Sequence, residues 1–370
     1  MKKILSCLLL LFVISFTGCF EMKTGKLSPD EESRIRITAS IPENYKKKLT
    51  VFKTAYVEYD VDKVVNTFFP ENTGLLVENK GINVVYGEDM LHSVGIGFLE
   101  KSEFSAPKYI PYLAYNNYGG RNKENSAGRL DSTNRKVELT PALDMNNNQE
   151  ITSGNIPFTA YSSIEKKDKE KMLAEIQQIC SSCGLPDIDI RYAMYRSADI
   201  LNENANIYKE FLKNGFGLET EEEVGTFTEE DEDYYVVGEV RIDDVPLANS
   251  SWQEKASQST AVRIRMQFTP SLELEVFNCE SLFRTIEKER EVTVSSPMEA
   301  IRAFENTYGI LNTITGIEQV YVVVSKEDGL HAVPAWMITS ASQTKLENGF
   351  VLNNYHVTAF DAETLQIITE

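Results

Sequence analysis

Residues 296–309, Ser-Pro-Met-Glu-Ala-Ile-Arg-Ala-Phe-Glu-Asn-Thr-Tyr-Gly, carry both ends of a helix. Ser296 and Glu299 have the spacing of a capping box, and Pro297 stands at the first helical position, where a missing N–H costs nothing. Ile301, Phe304 and Tyr308 fall on one face, and Gly309 supplies the stop. On both sides of this helix the period changes to that of strands. Upstream, Tyr234 to Ile242, Ala261 to Phe268 and Leu272 to Phe277 alternate, the last two joined through Thr269-Pro270-Ser271. A charged segment, Ile286 to Val294, leads into the helix. Downstream, Val320 to Val324, Leu330 to Ile338, Tyr355 to Phe360 and Leu365 to Ile368 read as strands, with a turn at Asp361–Thr364. One helix amid strands predicts an α+β unit whose helix covers a sheet face. Trp336 and Pro334 either close the edge of its core or meet a partner.

The earlier part repeats the pattern less regularly. Arg34 to Ile37 and Leu49 to Tyr59 read as strands, and Asp60 caps a short helix through Val64, Val65 and Phe68 that Pro70 ends. Two strands follow, Ile82 to Tyr86 and Val94 to Leu99. Ser162 and Glu165 predict a capping box for a helix to about Ile179, with Met172, Leu173, Ile176 and Ile179 as its apolar face. Ile188 to Met194 alternates as a strand, and Ser197 caps a further helix that Gly215 closes. An acidic run, Glu219 to Asp233, then reads as a domain boundary near Gly225 or as a long acidic loop. The expected architecture is α+β with two domains, 34–224 and 225–370, built of antiparallel sheets each covered by one or a few helices.

The first residues are not expected to belong to that fold. Lys2 and Lys3 precede an apolar run, Ile4 to Phe16, which is too short to span a bilayer comfortably. Phe16-Thr17-Gly18-Cys19 resembles a bacterial lipobox, with Phe16 where leucine is usual. That resemblance implies a signal peptide over 1–18, acylation of Cys19, a spacer over 19–33 and a place on the extracytoplasmic face of the cell membrane. Buried acyl chains contribute ~0.8 kcal/mol per methylene, so a doubly acylated cysteine anchors stably.

The 370 residues carry 37 basic and 56 acidic side chains, a formal charge of −19. Such a surface repels nucleic acid and attracts cations or basic partners. Cys180-Ser-Ser-Cys183 has redox or metal spacing, but it closes a helix where a reactive thiol would open one. Structural thiols, a local disulfide and redox work remain the alternatives. His92, His331 and His356 are scattered, so no metal ligand set is visible, and no cofactor is expected. Asp144 to Glu150 begins like a calcium loop but has Gln149 where glycine is required. No nucleophile elbow, zinc-protease motif or phosphate loop occurs, so no catalytic residue can be nominated.

Tyr109, Tyr112, Tyr115 and Tyr118 recur every third residue before Gly119, Gly120 and Arg121. Period three does not suit a strand, and Pro111 opposes a helix, so the segment reads as a loop. Its rings either pack against a sheet or form, with Arg121, a platform for sugar or solute.

The Ser-Pro-Met-Glu-Ala helix, the Pro334-Ala335-Trp336 strand and the closing Val357-Thr-Ala-Phe-Asp-Ala-Glu-Thr364 hairpin resemble PepSY-like domains. They also resemble extracytoplasmic regulators of the Yyc sensor kinase and Firmicutes lipoproteins of unknown function. Leu365 stands where that closing turn usually has glycine. The resemblance covers about 230–370 and implies regulatory or binding roles at the cell surface, with no catalytic residue to carry over. The expectation is an anchored, non-catalytic lipoprotein that binds and regulates a cell-surface protein. The alternatives are glycan or solute binding through the tyrosines, and a cell-wall hydrolase built on two carboxylates.

Overall fold

The computed structural model describes residues 36–69, 75–79, 82–86, 92–102, 107–117, 142–144, 149–151, 159–216, 227–248, 263–309, 313–345 and 351–368. The predicted signal peptide, Cys19, the spacer, Tyr118, Arg121, most of the calcium-like loop and most of the acidic run lie outside them.

The chain opens with β1 (Arg36–Ile37), β2 (Lys48–Tyr56) and α1 (Val61–Phe68). β3 (Leu75–Asn79), β4 (Ile82–Tyr86), β5 (His92–Ser102) and β6 (Pro107–Asn117) follow, then the short β7 (Ala142–Asp144), β8 (Gln149–Ile151) and β9 (Ser162–Ser163). The middle holds α2 (Lys166–Cys183), β10 (Ile188–Arg196), α3 (Ala198–Phe216), β11 (Asp233–Ile242) and β12 (Val245–Pro246). The last part holds β13 (Arg263–Phe268), β14 (Leu274–Glu280), β15 (Phe283–Thr293), α4 (Pro297–Tyr308), β16 (Thr313–Lys326), β17 (Gly329–Lys345) and β18 (Val351–Asp361).

Two large sheets organise these elements. The first runs β3-β4-β5-β6-β14-β13-β11-β10-β9, with β12 beside β11. The second runs β1-β16-β17-β2-β15, with β18 beside β17. Their pairings are antiparallel except β1 with β16. The mixed helix-and-sheet class therefore agrees with the sequence, but the expected boundary does not separate the sheets. Lys48 pairs with Thr293, Ala114 with Asn278, and Ile188 with Val240, so both sheets take strands from each side of 224/225. Alternation identifies a strand and its buried face but says nothing of its partner. One apolar cluster runs through both sheets, from Leu49 and Val64 to Trp336 and Phe360. A smaller cluster around Leu201 and Met194 packs under α3.

Local signals explain where the helices begin and end. The Glu299 carboxylate accepts from Ser296 N at 2.7 Å, and Ser296 Oγ accepts from Glu299 N at 3.3 Å. Ala300, Ile301 and Phe304 face the core, and Gly309 stops α4 at φ +69. Tyr308, expected on the buried face, stays exposed with its ring 4.9 Å from that of Phe304. Asp60 Oδ1 accepts from Lys63 N at 3.2 Å to start α1. The box expected at Ser162 does not form. Ser162 pairs with Tyr195 in the sheet, and Glu165 holds the cap position of α2 without a side-chain bond.

Two strands contradict their sequence reading. β6 occupies the tyrosine segment read as a loop. Pro111 is accommodated because the β14 ladder ends at Tyr112, leaving it at an edge on that side. β15 occupies the charged run before α4. It lies at a sheet edge, where charges protect against further pairing. Its register slips between Thr285 and Glu287 and again between Lys288 and Arg290, which makes Ile286 and Glu289 bulge residues.

Ion pairs of two largely buried arginines tie elements together. Arg196 and Asp233 are fully buried and meet through two 2.7 Å bonds, with the guanidinium 4.8 Å from the Tyr235 ring centre. Arg191 reaches Glu239 at 3.1 Å and Glu318 at 2.8 Å, linking β10 and β11 of one sheet to β16 of the other. Burial holds the Glu318 carboxyl above its ordinary range, a shift that Arg191 partly offsets.

Candidate functional site

A cleft of about 940 Å³ opens between α1, α2, Tyr115 of β6 and the β13–β14 hairpin. Each wall has a local cause. α1 ends in Phe68, whose ring stacks on Tyr115 at 4.3 Å and 19°, so this aromatic pair forms an apolar end. α2 buries Met172, Ile176 and Ile179 and thereby turns Glu175, Gln178 and Ser182 toward the opening. In the hairpin, Leu272 adopts φ +68, and Thr269 Oγ1 accepts from Glu273 N at 3.0 Å. That tight turn brings Glu273 to the rim opposite α2.

The electrostatics of the cleft centre on Glu175. Burial holds its carboxyl above the ordinary range; the backbone N–H of Leu274 offsets part of this, and the charge of Glu273 adds to it. Lys63, Asn66 and Thr67 face them from α1. Half-buried Glu175 and exposed Glu273 therefore line the cleft with amide and hydroxyl groups, while the Lys63 ammonium lies 3.6 Å from Asp60 Oδ2. Such a lining favours a ligand that brings positive charge and hydrogen-bond donors.

The tyrosine platform is not assembled as predicted. Residues three apart on a strand point to opposite faces, so Tyr112 and Tyr115 of β6 cannot form one stacking surface. Tyr115 is buried in the cleft wall and Tyr112 is half-buried. Tyr109 lies on the same strand, while Tyr118 and Arg121 fall outside the described residues. Tyr115 thus lines the cleft singly and not as part of a tyrosine platform, and the sequence did not single out Glu175 or Glu273 among many acids. Only the meeting of a helix face with a distant hairpin distinguishes them.

Cys180, Cys183 and Cys279 are free and buried. Burial pushes the Cys180 thiol up to about 12, the reverse of what an attacking thiol needs. They belong to the packing behind the cleft.

No protein-family model matches the chain, and no curated protein matches it. A crystal structure of an uncharacterized protein from Eubacterium rectale ATCC 33656 superposes with a TM-score of 0.57 over 91% of each chain at 9% identity. At that identity the likeness concerns the fold alone.

Proposed function

We propose that this chain is a non-catalytic, extracytoplasmic lipoprotein, anchored through Cys19, whose cleft binds a small polar solute carrying positive charge. The observation that carries this reading is that half-buried Glu175 and exposed Glu273 line one cleft, with the charge of Glu273 adding to the burial of Glu175. A cationic ligand offsets both the repulsion from Glu273 and the burial of Glu175. The acidic surface, net −19, raises the local concentration of such ligands. The PepSY-like reading of 230–370 is compatible with a binding role, because it brings no catalytic residue. Among the described residues the exposed large apolar side chains are Ile286 and Tyr308, too little for a wide apolar docking face.

Calorimetric titration with glucosamine, spermidine and glucose tests the proposal. A cationic probe is expected to bind while glucose gives no heat, and Glu175→Gln or Glu273→Gln should each weaken binding about tenfold or more. Binding should also decline on acidification from a higher pH than an exposed glutamate would give, since Glu175 protonates early. Parent-like affinity in both variants, or no response to either cationic probe, defeats the reading. The anchor has its own test. Cys19→Ala should move the chain from the membrane fraction to the soluble extracytoplasmic fraction or leave it as the uncleaved precursor; unchanged retention of a normally cleaved chain refutes acylation.

A further inference from the structure

A second cluster lies on the other sheet and shares no residue with the cleft. His331 sits inside β17, with Val324 of β16 on one side and Lys53 of β2 on the other. It is 1% exposed. Its Nδ1 lies 2.9 Å from Glu289 Oε2 and its Nε2 2.9 Å from Asp328 Oδ1. Glu289 is the extra residue of the second bulge in β15, and bulges re-aim side chains. Asp328 comes from the two-residue turn between β16 and β17, where Gly329 takes φ +133. One ligand atom from each residue can be chosen so that all three lie within 4.8 Å of one another.

We propose that Glu289, Asp328 and His331 form a binding site for a divalent transition-metal ion of the zinc class. The donor set is one imidazole and two carboxylates, which suits zinc and its neighbours better than magnesium or calcium, whose sites are built from oxygen. Burial in a central strand fixes the imidazole, and the carboxylates of Glu289 and Asp328 stay accessible enough to admit an ion. One ring nitrogen becomes the ligand through its lone pair. Water completes the coordination. Lys53, whose Nζ is 3.7 Å from Asp328 Oδ2, is the resident cation, and its flexible chain is one-third exposed, so it can swing away.

The test is titration of Zn²⁺ into chelator-treated full-length protein, in competition with a chromophoric indicator and with Mg²⁺ as the comparison ion. One equivalent of Zn²⁺ should bind, with no comparable uptake of Mg²⁺. His331→Ala, Asp328→Asn and Glu289→Gln should each weaken binding by ten- to a hundredfold. Because His331 is buried, its variant can fail to fold. Asp328→Asn sits in an exposed turn, and its retained melting transition keeps the test decisive. The proposal is overturned if no stoichiometric Zn²⁺ uptake occurs, or if Asp328→Asn and Glu289→Gln bind as the parent does. Its failure leaves the solute reading untouched, since Glu175 and Glu273 take no part.

Discussion

Arg196→Ala is expected to destabilise the protein by about 3–5 kcal/mol, because it leaves the Asp233 charge buried with that guanidinium gone. Both side chains are fully buried, so water cannot readily take the place of the lost partner. The two 2.7 Å bonds and the Tyr235 ring hold the guanidinium at the end of β10, directly before α3. Asp233→Ala should cost a similar amount for the converse reason. The double variant Arg196→Met with Asp233→Leu should recover much of the loss, since no lone charge then stays in the core. Urea denaturation of the parent, both single variants and the double variant checks this. Single losses under about 1 kcal/mol would mean that the pair is solvated as a surface pair is.

Trp336→Ala should be comparably severe, at about 3–5 kcal/mol, as is typical for deletion of a large buried aromatic. Trp336 is fully buried in β17, with the Tyr45 ring edge-on at 5.5 Å. Its Nε1 donates to the Ser295 carbonyl at 2.9 Å, one residue before the cap of α4. Trp336→Phe separates the two contributions. It keeps most of the apolar volume but strands the Ser295 carbonyl, so roughly 1–3 kcal/mol should be lost. Thermal melts of the two variants should therefore order as parent, Phe, Ala. Near-parent stability of the alanine variant would show that the site collapses around the void.

What the sequence disclosed follows the range of the interactions involved. Ser296, Pro297, Glu299 and Gly309 act within a few residues of one another, so α4 was legible from end to end. The Asp60 cap was legible for the same reason. Ser162 and Glu165 had the right spacing, yet the ladder to β10 captured Ser162 first. The tyrosine segment misled because its period of three is that of neither face of a strand; only its neighbours β5 and β14 make it one. β15 was hidden because an edge strand with two bulges has no alternation to read. Both candidate sites were beyond reach. Glu175 meets Glu273 only when α2 lies beside the β13–β14 turn, and Glu289 meets His331 only across β2.

The threading of the two sheets bears on how the protein reaches its folded state. Lys46 and Gln319, 273 residues apart, exchange two hydrogen bonds at 2.9 and 2.8 Å, and β2 has both its neighbours in the last third of the chain. β2 therefore cannot find its place until nearly all the rest has been delivered. A chain exported from its N-terminus would hold β2 as an unpaired, apolar segment throughout delivery, exposed to proteases and to other sheet edges. Folding dominated by such distant pairings is slow. C-terminal truncation before β15 should accordingly remove β2's partners along with the lost strands, leaving no independently stable N-terminal half.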